Sequence, residues 1–336
     1  VSAREAAEAR AYCRHVLPEV SRTFAINIEM LDGGLRDTVR VAYLLCRAAD
    51  ALEDSWPGPP ADIEARFARF VTALEGGDAS SLAQEAARRG GEGADLRLVA
   101  NLPLVLAALE QRPAAERAIV REAVRVMAAG MSRYSARAAG RPAGACYLDD
   151  EKELSDYCWV VAGCVGVMLT QLLELRLQAA DDSPRERRRA LAPVVGEALQ
   201  LTNILLDLPH DLRRGRCYLP ASWLAAHGLS PADLLGAPTP VAKETALRLA
   251  PLAHAALDRV PDYLDALPRG HLRYRLFCLW PALWARASLR LVERDAAFPF
   301  GPRRPRLTRA QLWGAAVRSL FVAHDPRGVR RMLAGG

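Results

Sequence analysis

Three carboxylates close the stretch LRDTVRVAYLLCRAADALED at 35–54. Asp50, Glu53 and Asp54 stand at i, i+3 and i+4, so on a helix they project from one face. Alone, that arrangement is unfavourable. Like charges at helical neighbour spacing repel, and negative charge near a helix C-terminus opposes the macrodipole. A cation among them relieves both. Hard oxygen donors with water access suit Mg²⁺, which binds through one or two carboxylates together with substrate phosphates. Arg47, one turn before Asp50, offers a cation to a diphosphate from the same side. In isolation, the run reads first as a solvated acidic helix end, since charge runs usually face solvent.

A second set lies in ALQLTNILLDLPHD. Gln200, Asn203 and Asp207 fall at i, i+3 and i+7, and Asp211 follows four residues later. Two acidic clusters on separate helices, facing each other across an apolar bundle, suit a prenyl diphosphate. Metals neutralise the leaving group and apolar walls hold the chain. Pro209 lies between the two aspartates and disfavours α geometry at Leu208. The expectation is that the helix kinks or ends there, leaving Asp211 on a loop or a tightened turn.

The elements that must position these groups read as helices. Hydrophobic residues make up 51% of the 336, Ala, Leu and Arg dominate, and period-two alternation is scarce, an all-α composition. A first helix is expected over 2–16, ending before Pro18. The turn Asp32-Gly33-Gly34 enters the central helix, whose stripe is Leu35, Val39, Ala42, Tyr43, Cys46 and Ala49. SWPGPPAD stops it. Helices are expected at 61–75, 95–111, 114–135, 148–179 and 190–206, then onward to 296 and again at 308–334. Residues 76–93 show no stripe and read as a mobile excursion. GRPAGA at 140–145 and FPFGPRRPR at 298–306 read as loops, and DDSPRERRR at 181–189 as a turn into a basic helix start. Ala162, Gly163 and Gly166 would let a neighbouring helix or a ligand approach closely. No repeat or domain boundary stands out, so 1–336 reads as one domain.

Charge and cysteines exclude several classes. Net charge is +6 with both signs abundant, and no dense basic tract interleaves with aromatics, which argues against nucleic acid. Moderate basicity fits an anionic substrate or a weak attraction to anionic lipid. Seven scattered cysteines without CxxC indicate reduced thiols and a cytoplasmic protein. The six histidines lack zinc-ligand spacing, and no GxSxG supports a serine hydrolase. No signal peptide or C-terminal anchor is expected. The most apolar stretch, Val160 to Leu169, is about half a transmembrane span. The chain is expected to be soluble or at most peripheral at a membrane.

Five ordered blocks carry a family resemblance. They are YCRHVLPEVSRTFAINI at 12–28, the DxxED run Asp50–Asp54, YCWVVAGCVGVML at 157–169, LQLTNILLDLPHD at 199–211, and the basic LRRGRCYLP that follows at 212–220. The chain resembles the squalene/phytoene synthase family of head-to-head trans-isoprenyl synthases. The resemblance implies a single-domain, all-α isoprenoid-synthase-type bundle around a central apolar cavity. Within the family, LDG at 31–33, FCLWP at 277–281 and RLTRAQ at 306–311 look more like squalene synthase than phytoene synthase. Two positions depart from the family pattern. Leu206 stands where the family has Arg, leaving Arg213, Arg214 or Arg216 to replace that cation. His210 stands where it often has Glu.

The resemblance also implies a reaction. Two farnesyl diphosphates condense to presqualene diphosphate with Mg²⁺ (or Mn²⁺), and NADPH reduces that product to squalene. Asp50, Glu53, Asp54, Asp207 and Asp211 are the implied metal ligands. Ser21, Arg22, Phe24, Arg47, Gln200, Asn203 and Phe277 are implied substrate contacts. Tyr43, Arg47 and Tyr157 are the catalytic candidates, Tyr157 sharing with released diphosphate the role of taking up a proton. Asn203, Arg306 and Arg309 are candidates for NADPH. Two rival readings stay open: a non-reductive member making presqualene diphosphate, hydroxysqualene, dehydrosqualene or phytoene, and an inactive helical scaffold.

Overall fold

The computed structural model describes residues 2–89, 93–177, 184–301 and 305–335, with the side chains of Arg22 and Gly335 excepted. Two compact units emerge. One comprises Val1–Ala139 with Met168–Arg176, the other Gly140–Val167 with Leu177–Gly336.

The first unit begins with α1 (Ala3–Val20), opened by a capping box in which Ser2 Oγ accepts from the Glu5 N–H and Glu5 returns the bond. The helix runs through Pro18 instead of stopping before it. Pro18 and Arg14 are both exposed, so the carbonyl that Pro18 cannot satisfy faces water. Ser21 ends the helix in an extended conformation. Its N–H donates to the Leu17 carbonyl, and its hydroxyl caps α2 (Arg22–Glu29) by accepting from the Phe24 N–H at 3.3 Å.

Gly33, at φ +24°, leads into α3 (Gly33–Asp54). The helix α3 is buried along most of its girth. Near its start Thr38 donates to the buried Glu116, which also holds Arg176 at 2.6 Å. Then follow α4 (Pro60–Leu74), α5 (Ser80–Arg89), α6 (Ala94–Ala100), α7 (Leu102–Glu110) and α8 (Ala114–Ala139). The excursion expected over 76–93 is therefore corrected across its described part. Residues 80–89 form a helix that buries Leu82, Ala83 and Ala86, a stripe too small and Ala-rich to stand out by pattern. The helix expected over 95–111 is two, parted at Asn101 with Pro103 in the first turn of α7.

The second unit holds a feature that composition hides. Strands β1 (Cys146–Leu148) and β2 (Cys217–Pro220) pair in parallel with Cys146 opposite Cys217. Between them lie α9 (Glu151–Cys158), a π-helical turn (Trp159–Gly163), α10 (Cys164–Glu174) and α11 (Arg185–Arg213). Then come α12 (Ala221–Ala225), a 3₁₀ turn (Pro231–Leu234), α13 (Pro240–Leu247), α14 (Leu249–Leu257), α15 (Val260–Asp265), α16 (Leu272–Arg294), α17 (Arg309–Leu320) and α18 (Pro326–Gly335).

The expected break at Pro209 is absent. The helix α11 passes through both Pro193 and Pro209 to Arg213, which keeps Asp211 helical. An internal proline costs about 3 kcal/mol in an isolated helix. Here Ile204, Leu205, Leu206, Leu208 and Leu212 are all buried, and their packing offsets it. The small residues expected to permit a close approach do so toward a helix. A Cβ on Gly166 would collide with the Ala192 carbonyl, and one on Gly196 with that of Ala162. The helical runs Glu151–Glu174 and Arg185–Arg213 are long and apolar enough, by length and composition, to cross a membrane. Both exceed the short apolar stretch singled out by sequence, and half of each apolar window is buried inside the fold, as in core helices.

Candidate active site

From Tyr43 to its end α3 keeps one side open, Cys46 included, while Leu44, Leu45, Ala48, Ala49, Ala51, Leu52 and Glu53 are buried. Tyr43, Arg47, Asp50 and Asp54 are each half-buried, at spacings of four, three and four. That spacing keeps them within a narrow arc of the helix. Glu53 lies off the strip and is 9% exposed. The spacing thus brings Asp50 and Asp54 to the open face and turns Glu53 toward the interior, still close enough to act electrostatically on Asp50.

Asp50 carries the electrostatic signature of the strip. Burial pushes its carboxyl up to about 7, Arg47 pulls it back, and Asp54, Glu53 and Asp95 add to the rise. These groups favour a cation, and a hard carboxylate set of this kind fits Mg²⁺. Among the described residues no three His, Cys, Asp or Glu side chains gather tightly enough to hold an ion. One or two carboxylates, with substrate phosphates completing the shell, is the usual Mg²⁺ arrangement.

Asp95, in the first turn of α6, is the residue that sequence reasoning misses. It takes Arg47 bidentately, Nε to Oδ1 at 2.9 Å and Nη2 to Oδ2 at 2.7 Å, while Asp50 lies 3.7 Å from Nη1. The Ser55 hydroxyl also donates to Asp95. The guanidinium is thereby aimed along the carboxylate strip. The Phe24 and Tyr43 rings stack at 5.6 Å, and the Ser21 hydroxyl lies near that of Tyr43. Burial pushes that hydroxyl up to about 12, so it keeps its proton near neutrality. Ser21, Phe24, Tyr43, Arg47, Asp50 and Asp54 form one neighbourhood; the side chain of Arg22 lies outside the described residues.

In the second unit, α11 carries its own polar face. Gln200, Asp207 and Asp211 are half-buried, Asn203 is exposed, and Arg214 continues the row. Leu206 sits about 100° round the helix from Asp207 and is buried, 7% exposed, among apolar neighbours. Of the replacement cations, Arg213 is committed, donating to the Pro209 and Gly301 carbonyls. Arg214 lies on the Asp207 face, and the Arg216 N–H donates to the Asp211 carbonyl at 2.8 Å as the chain turns toward β2.

Tyr157, buried in α9, stacks on Tyr218 at 5.1 Å, and Tyr147 meets Tyr218 edge-on at 5.0 Å. Tyr147 and Tyr218 were not anticipated; the signal for them is the tripeptide CYL, present at 146–148 and again at 217–219. Glu197 is a further unanticipated group. Burial raises its pKa, and its carboxylate lies 3.0 Å from where a Cβ on Gly163 would be. Phe277 is buried in α16 against Tyr274. Arg306 and Arg309 are exposed where the chain enters α17.

Comparison with known proteins gives a consistent answer. Residues 17–311 match the family model described as squalene/phytoene synthase. The 15-cis-phytoene synthase of Pantoea ananas is 30% identical over 181 residues, 51% of this chain and 54% of that protein. The squalene synthase of Homo sapiens is 27% identical over 283 residues, 82% of this chain and 62% of that protein. The chain therefore spans little more than half the length of these relatives. A solved structure described as TcSQS with the ligand E5700 has the same fold, with a TM-score of 0.77 at 24% identity over 97% of this chain and 89% of the other.

Proposed function

The chain belongs to the squalene/phytoene synthase family, and we propose that it condenses two farnesyl diphosphates head to head, Mg²⁺-dependently, to presqualene diphosphate and reduces that product with NADPH to squalene. The observation that carries this reading is the open strip of α3, where Arg47, fixed by Asp95, stands beside Asp50 and Asp54.

Bound Mg²⁺ would supply charge neutralisation of the departing diphosphate. Asp50 and Asp54 would hold it on α3, with Glu53 adding charge from below, and Asp207 and Asp211 would do so on α11. Arg47 binds diphosphate oxygens directly, oriented by Asp95 before substrate arrives. As the allylic C–O bond breaks, the stacked Phe24 and Tyr43 rings offer π faces to the developing carbocation. Tyr43 stays neutral, so it shelters the cation and does not act as base. The double bond of the second substrate attacks, and loss of one proton closes the cyclopropane. The released diphosphate receives that proton, directly or through Tyr157, whose hydroxyl would pass its own proton on to the diphosphate as it takes up the new one. Apolar side chains exclude water, which would otherwise quench each cation.

NADPH would supply the hydride of the second half-reaction. Exposed Arg306 and Arg309 offer the positive charge that its phosphates need, and Asn203 an amide. A second reading ends before reduction, at presqualene diphosphate, an alcohol, a dehydro product or phytoene. The likeness to a phytoene synthase supports keeping it.

Incubation of purified protein with farnesyl diphosphate and Mg²⁺, with and without NADPH, followed by mass spectrometry of the lipid extract, separates the readings. Squalene formed only with NADPH supports the reductive reaction. Products indifferent to NADPH, or turnover of geranylgeranyl diphosphate alone, move the protein to the non-reductive branch. No Mg²⁺-dependent diphosphate release from either substrate leaves the inactive scaffold.

A further inference from the structure

The helix α17 has two unlike faces. Its inner face is pinned to α16: Trp280 Nε1 donates to Ser319 Oγ at 2.9 Å, and Trp284 Nε1 donates to the Leu312 carbonyl at 3.1 Å. Just beyond the helix, Arg275 donates to the Ala323 carbonyl at 3.0 Å. Ala316, Ser319 and Ala323 are fully buried. The outer face is therefore held in place by its back.

That outer face is apolar and open among the described residues, with Trp313 at its edge against Trp280, ring centroids 6.4 Å apart. Trp313 is 50% exposed, Val317 51%, Leu320 48% and Phe321 84%. At i, i+4, i+7 and i+8 they form one stripe. The other large exposed apolar side chains among the described residues, Ile26, Trp159, Leu175 and Val241, are scattered along the chain. Clustered exposure of this kind marks an interaction site, whereas single exposed apolar residues do not.

Charge identifies the occupant. Between Asp295 and Asp325 the sequence has five arginines and no acidic residue. Of these, Arg309 and Arg318 lie exposed on α17 beside the stripe. Neither has a carboxylate within ion-pairing distance among the described residues. A second copy of the chain, meeting this face symmetrically, would bring arginines against arginines with no acid to offset them. A dinucleotide held by Arg306 and Arg309 leaves Arg318 and the stripe unused. An anionic bilayer uses both: acyl chains take Trp313, Val317, Leu320 and Phe321, and headgroup phosphates take Arg318.

We infer that the outer face of α17 docks the protein onto membranes containing anionic lipid, with the helix lying in the plane of the interface. Twelve residues are too few to span a bilayer, which leaves the in-plane orientation. The inference does not depend on which product the enzyme makes.

Flotation with vesicles of phosphatidylcholine alone, and of phosphatidylcholine mixed with phosphatidylglycerol, tests it. Binding is expected to the mixed vesicles and to weaken with salt. The pair Leu320→Ser and Phe321→Ser should lower binding about tenfold or more. Arg318→Glu should lower binding to mixed vesicles and leave phosphatidylcholine vesicles unaffected. Both variants alter exposed side chains, so circular dichroism, Tm and diphosphate release from farnesyl diphosphate in lipid-free buffer should match the parent. Absence of binding, binding indifferent to anionic lipid, or undiminished binding of the variants would overturn the inference. So would a dimer in buffer that dissociates on Phe321→Ser, which would assign the face to a second copy.

Discussion

Arg47 on α3 and Asp95 on α6 form a two-pronged ion pair, 2.9 and 2.7 Å, placed beside Asp50. Fork-to-fork geometry fixes the plane of the guanidinium as well as its position. Removing Asp95 leaves Arg47 with Asp50 at 3.7 Å and more rotational freedom. Both partners are only partly exposed, so Asp95→Asn should cost about 1 kcal/mol of stability. Steady-state kinetics should show kcat falling by about tenfold. Unchanged kcat would mean that Asp50 alone suffices to aim Arg47.

Asp50 predicts opposite effects on function and on apo stability. Its carboxylate is desolvated among Asp54, Glu53 and Asp95, which raises its pKa to about 7. Asp50→Asn removes that repulsion and should raise the Tm of the metal-free protein by a few degrees, roughly 1 kcal/mol at this chain length. Diphosphate release should fall by at least about a hundredfold, and Mg²⁺ with diphosphate should no longer raise Tm. Asp207→Ala tests α11 in the same assay. Near-normal release by either variant would overturn the assignment of that helix as a metal platform.

Gly166 and Gly196 set the closest approach of α10 and the preceding π turn to α11. A methyl group at either position meets a backbone carbonyl, of Ala192 or Ala162 respectively, and neither carbonyl can rotate away. Overpacking of this kind costs about 1–3 kcal/mol, so Gly166→Ala and Gly196→Ala should each lower the urea midpoint accordingly. A substitution without effect would show that the helices separate more easily than their packing suggests.

The open strip of α3 is legible in sequence because one regular helix carries all of it. Spacing alone puts Arg47, Asp50 and Asp54 together, while Tyr43, read in sequence as part of the apolar stripe, proves half-buried in line with them. Asp95 is not legible, since its partnership with Arg47 is a tertiary contact across 48 residues. Tyr147 and Tyr218 escape because strands of three and four residues are too short to show alternation. Pro18 and Pro209 mislead for a different reason. The local rule is correct, but Pro18 leaves its orphaned carbonyl in water, and the buried leucines around Pro209 outweigh the penalty. Glu53 shows the limit of spacing itself: i+3 places it near Asp50, while the burial of the surrounding helix decides that it points inward.

Asp262, in α15, gives the pH dependence. Arg330 donates to it at 2.7 Å, Arg187 at 3.2 Å, and Arg259 lies at 3.6 Å. These cations, Arg330 foremost, hold its carboxyl below the usual carboxylate range. A carboxylate with a lowered folded-state pKa stabilises the fold fully above its unfolded pKa, about 3.9, and loses that contribution as pH falls through the folded value. Because the network ties α18 and the start of α11 to α15, Asp262→Asn should cost about 1 kcal/mol at pH 7. Urea titrations of parent and variant should converge as pH drops below about 4. A difference that persists unchanged at pH 3 would mean that hydrogen-bond geometry, and not charge, is what Asp262 contributes.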